Sequence, residues 1–158
     1  MMTTKSIINT LISLGYNFVQ IQTGKDFTKV SIDPDISPAP KIITENSSTV
    51  VDFDGKLKIK YDPYFENFVN EIQSSDLIIS HAGAGTCLEV LRQKRPLIVV
   101  INEDLMDNHQ TELAEQLCND GYLYYSICDT LCEVLQKDLS KLKPYPEPDK
   151  FLFCQIFG

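Results

Sequence analysis

Residues 77–89 read Leu77-Ile78-Ile79-Ser80-His81-Ala82-Gly83-Ala84-Gly85-Thr86-Cys87-Leu88-Glu89. The apolar run Leu77 to Ser80 has the length of a buried strand, the glycines turn the chain, and the residues from about Gly85 to Gln93 have helical spacing. This strand–turn–helix step is then repeated. Pro96 opens a second apolar run, Leu97-Ile98-Val99-Val100-Ile101, and a helix follows from about Asn108 to Asn119, where Gly121 stops it. Tyr122 to Ser126 reads as a shorter third strand, in which Tyr122, Tyr124 and Tyr125 serve as packing, and Asp129 to Lys137 reads as a last helix. Successive βα steps predict an α/β domain built on a Rossmann-like, doubly wound and mostly parallel sheet, with ligands at the carboxyl ends of its strands.

Toward the N-terminus the pattern is less regular. Ile7, Ile8, Leu11, Ile12 and Leu14, all on one side, predict a helix over about Thr4 to Leu14, with Gly15 as its stop. Asn17 to Ile21 reads as a strand ended by Gly24. From Lys25 to about Gly55 the chain carries Pro34, Pro38 and Pro40 among many Ser, Thr and Asp residues, and it predicts an irregular stretch with at most one short strand. Leu57 to Tyr61 alternates like a strand. After Asp62-Pro63, the spacing of Phe65, Phe68, Val69 and Ile72 predicts a helix over Tyr64 to Ser74. A doubly wound domain ordinarily begins with a strand, and this sequence begins with a helix, so either its start is truncated or the sheet lacks its usual first strand.

Residues 1–158 are expected to form a single domain, with 143–158 as its tail. That tail is extended through Lys143-Pro144-Tyr145-Pro146-Glu147-Pro148 and then turns apolar at Phe151, Leu152, Phe153, Ile156 and Phe157. Such an end either covers the chain's own sheet or docks on another chain.

Composition bounds the function. The 158 residues carry 14 Lys and Arg against 22 Asp and Glu, a net charge of −8, with 43% hydrophobic residues. That balance disfavours binding along nucleic-acid backbones, which needs clustered cations, and equally a polybasic membrane patch. Leu97 to Ile101 is far shorter than the roughly 20 apolar residues that span a bilayer. Five cysteines without a CxxC pair (Cys87, Cys118, Cys128, Cys132 and Cys154) read as free thiols of a reducing compartment, where the sequon Asn46-Ser47-Ser48 would never meet its transferase. With only His81 and His109 as histidines, no zinc-ligand spacing is complete.

The glycine turn fits two roles. Gly83 and Gly85 lack Cβ atoms, so an oxyanion can approach the backbone, and the helix start beyond supplies N–H groups and a positive dipole end. Thr86 adds a hydroxyl and His81 an imidazole. A plain tight turn capped by Thr86 fits the same residues. A dinucleotide fingerprint is excluded, because its third glycine falls on Leu88, and a P-loop is excluded for want of a Lys-Ser/Thr pair. Glu89, one turn into the helix, is placed either to accept both hydroxyls of a ribose or merely to complement the helix dipole. At the next junction, Asp107-Asn108-His109-Gln110 offers donors and acceptors for sugar hydroxyls, while Asp107 with Gln110 also makes a capping box. A Cys87–His81 nucleophilic pair is conceivable by proximity, but a cysteine one turn inside a helix reads better as a packed thiol.

The spacing His-x-Gly-x-Gly-Thr-x-x-Glu, then Pro-Leu-Ile-Val-Val, then Asp-Asn-His-Gln resembles the donor half of GT-B glycosyltransferases, the glycosyltransferase family 28 C-terminal domain. Within it the sequence is similar to the cytosolic subunits of the two-part UDP-N-acetylglucosamine transferases of asparagine-linked glycan assembly. Ser80 to Gly121 carries nearly all of the likeness, with Leu142-Lys143-Pro144-Tyr145-Pro146 added near the end. The resemblance implies a donor-binding chain that pairs with a membrane-anchored, acceptor-binding subunit at the cytosolic face of the endoplasmic reticulum. The pair would move N-acetylglucosamine from UDP-N-acetylglucosamine to N-acetylglucosaminyl-diphosphodolichol. His81, Gly83, Ala84, Gly85 and Thr86 would hold the diphosphate, Glu89 the ribose, and Asn108, His109 and Gln110 the sugar, with His109 the candidate base unless the partner supplies it. No metal or other cofactor is implied, since a helix N-terminus and an imidazole can neutralise the leaving UDP. Two other possibilities stay open at this point: a non-catalytic nucleotide-sugar-binding module descended from such a subunit, and a stand-alone transferase acting on another acceptor.

Overall fold

The structure is a computed structural model, which describes residues 4–23, 30–80, 84–101 and 108–146. Among the described residues, three of the five strand pairings are parallel, as an α/β reading requires, and they are distributed over two sheets. The chain divides into two compact units. One holds the described residues up to Phe68 together with Asp129–Lys137; the other holds Val69–Cys128 and the described residues from Asp138 onward.

The first unit opens with helix α1, Lys5–Ser13. Thr4 caps it, its side chain accepting the Ile7 N–H, and the Asp33 carboxylate accepts the Lys5 N–H at 2.9 Å. Ile7, Ile8 and Leu11 form its buried stripe, while Ile12 is half-buried and Leu14, expected on the same side, is exposed as the cap residue beyond the last helical turn. The helix stops where the sequence predicts: Gly15 has φ +92°, its N–H reaches Ile12 O, and the Tyr16 N–H reaches Leu11 O, the paired bonds of a Schellman cap. Strand β1 (Phe18–Gln22) follows, then β2 (Lys41–Glu45), β3 (Ser48–Phe53) and β4 (Leu57–Asp62), in spatial order β1-β4-β3-β2. β1 runs parallel to β4, while β3 is antiparallel to both β4 and β2. Leu57, Ile59 and Tyr61 alternate inward along β4, facing the core that Val51 and Phe53 share. The short helix α5 (Leu131–Leu135) adds Leu131, Val134 and Leu135 and packs on α1.

The β2–β3 hairpin corrects the expectation of an irregular stretch with at most one strand over Lys25 to Gly55. Its loop is Asn46-Ser47, with φ +47° and +73°, two left-handed residues in a row as a tight two-residue hairpin demands. Serine in the second of those positions is rare enough to hide the hairpin from a search for Asn-Gly or Asp-Gly. The β3–β4 turn does carry that signal: Asp54 and Gly55 have φ +56° and +72°.

The second unit has helix α2 (Phe68–Ser74) from its second residue on, strand β5 (Ile78–Ser80), helix α3 (Ala84–Arg92), strand β6 (Leu97–Ile101), helix α4 (Asn108–Asn119) and strand β7 (Tyr124–Ile127). The sheet is wholly parallel in the order β5-β6-β7. All five residues of β6 are buried, as a central strand covered on both faces requires. Leu97, Val99 and Ile101 join Val90 and Leu91 of α3, Ala114 and Leu117 of α4, and Leu123 in one core. Gly121 ends α4 at φ +88°, with its own N–H to Cys118 O and the Tyr122 N–H to Leu117 O. The Lys143 N–H donates to Gly121 O at 2.8 Å, and Tyr145 meets Tyr122 edge-to-face at 5.2 Å, so the start of the tail is held against this unit. Its apolar end, from Phe151 on, lies outside the described residues.

Two expectations need adjustment. The predicted helix over Tyr64 to Ser74 begins only at Phe68, because the Phe65 N–H is taken by the Gln22 side chain at 3.0 Å and Tyr64 stands exposed. Tyr125, read as strand packing, is 38% exposed, whereas the Tyr124 hydroxyl donates to Asp138 O at 2.7 Å. Among the described residues no helix is long and apolar enough to cross a membrane.

Candidate functional site

Two strand-to-helix junctions of the second unit lie side by side. β5 and β6 are parallel neighbours with Ser80 opposite Val99, so α3 and α4 both begin beyond the same, carboxyl-terminal edge of the sheet. In an open parallel sheet that edge is where ligands sit. α3 begins at Ala84, soon after β5 ends at Ser80, and its first turn contains Gly85 and Thr86. The first turn of any helix presents backbone N–H groups that no preceding carbonyl of the same helix can accept, at the positive end of the helix dipole. α4 begins at Asn108, so Asn108, His109 and Gln110 form its first turn, at the matching position of the adjacent junction.

Packing decides which side of α3 faces away from the core. Cys87, Val90 and Leu91 are buried, which leaves Thr86, Glu89 and Gln93 half-buried along one stripe at three- and four-residue spacing. Burial pushes the Cys87 thiol up from its ordinary pKa, outweighing a backbone hydrogen bond that acts in the opposite direction. A thiol so placed reads as a packing group, and the His81 of the conceivable nucleophilic pair lies outside the described residues.

Glu89 sits one turn into α3 as expected, and its carboxylate is turned toward its own helix. Oε1 accepts from Gln93 Nε2 at 3.3 Å and Oε2 lies 3.9 Å from Arg92 Nη1. Gln93 in turn accepts from Gln73 Nε2 of α2 at 2.7 Å. Sequence reasoning missed both partners of Glu89, although spacings of three and four along a helix are the signal that could have found them. These interactions are half-exposed and worth on the order of 0–1 kcal/mol, so a ligand offering better hydrogen bonds can displace them. His81, Ala82, Gly83 and Asp107 lie outside the described residues, as do the side chains of Ala84, Gly85, Asn108, His109 and Gln110. Thr86 and Glu89 are therefore the candidate side chains whose surroundings are defined.

The profile of the glycosyltransferase family 28 C-terminal domain matches residues 10–153. The chain is 40% identical over 124 residues to the UDP-N-acetylglucosamine transferase subunit ALG13 of Mus musculus, covering 78% of this chain and 9% of that protein. It is 31% identical over 168 aligned positions to the protein of the same description from Cryptococcus neoformans, covering 96% of this chain and 83% of the other. The chain thus spans about a tenth of the length of the mammalian relatives and most of the fungal one. An NMR solution structure of ALG13 superposes with a TM-score of 0.63 at 24% identity, over 98% of this chain and 85% of that one, which establishes the fold.

Proposed function

Since the chain belongs to the glycosyltransferase family 28 C-terminal domain family, we propose that it is the donor-binding subunit of a UDP-N-acetylglucosamine transferase. One observation carries the assignment: two adjacent parallel βα junctions start their helices at one sheet edge, with Thr86 and Glu89 off the packed face of the first. The name "transferase subunit" borne by the relatives supports a partner chain.

In this role the N–H groups at the start of α3, with His81, Gly83, Ala84, Gly85 and Thr86, hold the diphosphate of UDP-N-acetylglucosamine. Glu89 gives up Arg92 and Gln93 to accept the two ribose hydroxyls, and Asn108, His109 and Gln110 hold the sugar. The acceptor's hydroxyl attacks the anomeric carbon, the bond from that carbon to the diphosphate oxygen breaks, and UDP departs with the bonding pair. The acceptor's proton goes to a base, His109 or a group of the partner. Negative charge grows on the diphosphate as the bond breaks, and a helix N-terminus with an imidazole stabilises it without a resident metal. The acceptor is N-acetylglucosaminyl-diphosphodolichol, presented by a membrane-anchored subunit at the cytosolic face of the endoplasmic reticulum.

A calorimetric or NMR titration of the purified chain with UDP-N-acetylglucosamine tests the donor assignment, with ADP-ribose as the control ligand. Saturable binding that prefers the UDP-sugar, with resonance shifts at Gly85, Thr86 and Glu89, is expected. Equal response to both ligands, or shifts confined to other elements, would remove the donor site from this edge. Transfer assays with and without the membrane subunit then test the need for a partner.

A further inference from the structure

Strand β2 stands at the edge of its sheet with every residue exposed, including two adjacent isoleucines, Ile42 at 53% and Ile43 at 60%. An edge strand with apolar side chains is a template for pairing with another strand. What distinguishes this one is its order of side chains, Lys41-Ile42-Ile43-Thr44-Glu45. Laid antiparallel against an identical strand with Ile43 opposite Ile43, it sets Lys41 opposite Glu45 at one end and Glu45 opposite Lys41 at the other. Because side chains alternate between faces, these three pairs all fall on one face. The strand is complementary to itself in charge, with its apolar centre meeting its own copy.

The backbone agrees with that register. Glu45 and Ser48 flank the two-residue loop Asn46-Ser47, and the pair closing such a loop is a hydrogen-bonded one. By alternation, Lys41, Ile43 and Glu45 turn their peptide groups toward β3, so the N–H and C=O groups of Ile42 and Thr44 point off the free edge. Setting Ile42 opposite Thr44 of a second copy pairs all of these groups. It also makes the Ile43–Ile43 and Lys41–Glu45 pairs non-hydrogen-bonded ones, where side chains approach most closely. Pro40, which has no N–H, and the hairpin turn bound the edge at its two ends, so pairing is limited to one partner strand.

We propose that β2 is a self-association surface, joining two copies of this chain across a two-fold axis at Ile43 and continuing two four-stranded sheets into one of eight. The occupant is a second copy because an unrelated strand has no reason to present Glu and Lys at the complementary positions.

The experiment uses charge. Sedimentation of the full chain over a concentration series is expected to show a monomer–dimer equilibrium. Glu45→Lys sets Lys against Lys at both ends of the pair, and Lys41→Glu sets Glu against Glu; each should weaken dimerisation about tenfold. Mixing these two variants restores opposite charges at both ends, so the mixture should dimerise where neither does alone. Ile43→Lys, with two ammonium groups meeting on the axis, should abolish the dimer. Hydrogen exchange at the Ile42 and Thr44 amides should slow as concentration rises, a readout that a dimer formed elsewhere would not move. Thermal unfolding of each variant monomer checks that the fold survives. A wild-type chain that stays monomeric throughout, a dimer indifferent to the single charge reversals, or a mixture no more associated than its components would each overturn the proposal.

Discussion

Glu89 and Gln93 are joined by a hydrogen bond of 3.3 Å along the outward stripe of α3, so the carboxylate offered for a ribose is held one turn away from the start of its helix. The bond ties the residue proposed to hold the ribose to a neighbour given no role in the proposed site, and the two can be separated by mutation. Glu89→Ala should weaken UDP-N-acetylglucosamine binding about 10- to 100-fold, the loss of charge-assisted hydrogen bonds to a diol. Gln93→Ala should leave affinity unchanged or improve it slightly, because the carboxylate no longer has to leave a partner. Neither change should lower thermal stability much, since water reaches both side chains and weakens the bond between them. Titration calorimetry on the two variants checks the split; equal losses in both would make Gln93 a contact of the ligand.

The helix stops give a second prediction. Gly15 and Gly121 both lie at φ near +90°, but a Cβ on Gly15 meets nothing within 4 Å, whereas one on Gly121 comes within 3.4 Å of the Lys143 side chain. Alanine at either position should cost about 1–2 kcal/mol for the left-handed backbone alone. Gly121→Ala should exceed Gly15→Ala only slightly, because the lysine stem can move. Denaturant melts of the two variants compare backbone strain with crowding directly.

Thiol chemistry should separate Cys87 from Cys128. Cys128 is exposed and Cys87 is buried, with burial raising its pKa. In the folded chain Cys128 should react with a disulfide reagent within seconds to minutes and Cys87 only on unfolding, as mass spectrometry of quenched samples would reveal. The shift also has a sign in stability. A thiol whose pKa is raised by folding stabilises the fold below its unfolded pKa of about 8.5, and that contribution is lost as pH rises toward the folded value. Cys87→Ala or Cys87→Ser should therefore flatten the alkaline limb of the stability profile.

Asp33 acts at the other end of the pH scale. The Lys5 N–H and then the Asp35 N–H hold its carboxylate below the ordinary value of 3.8. A depressed pKa stabilises the fold above the unfolded value, and that contribution is lost as pH falls through the folded one. Asp33→Asn should remove part of the acid sensitivity of the first unit. Melting temperatures of the variant and the parent, which differ at neutral pH, should converge as pH falls below about 4.

Much of this organisation is legible in the sequence, for identifiable reasons. Leu97 to Ile101 can only be a strand covered on both faces, and it is. Gly15 and Gly121 announce helix ends because the left-handed position is where glycine has no competitor. Lys94 shows the converse: it takes φ +59° just past α3 without being glycine, and no residue type marks it. The β2–β3 hairpin escapes such a reading because its loop uses Asn46-Ser47 and its outer strand faces solvent on both sides, so no apolar alternation betrays it. At the site, the placing of α3 can be inferred, since a strand followed within a few residues by a helix sets that helix's first N–H groups at the carboxyl edge of the sheet. The orientation of Glu89 cannot, because it depends on which of several half-exposed partners the side chain prefers.

The membership of α5 in the first unit has a consequence for how the protein is made. Its apolar residues Leu131, Val134 and Leu135 belong with α1, yet the ribosome completes the whole β5–β7 sheet before it reaches them. α1, the first described helix to emerge, therefore keeps part of its apolar stripe open through most of synthesis, a period in which nascent-chain chaperones can hold it. Polypeptides released early, anywhere from Val69 to Cys128, carry that stripe uncovered and are natural targets for quality control. A gene split between the two units would fail for the same reason, since no single cut leaves both intact.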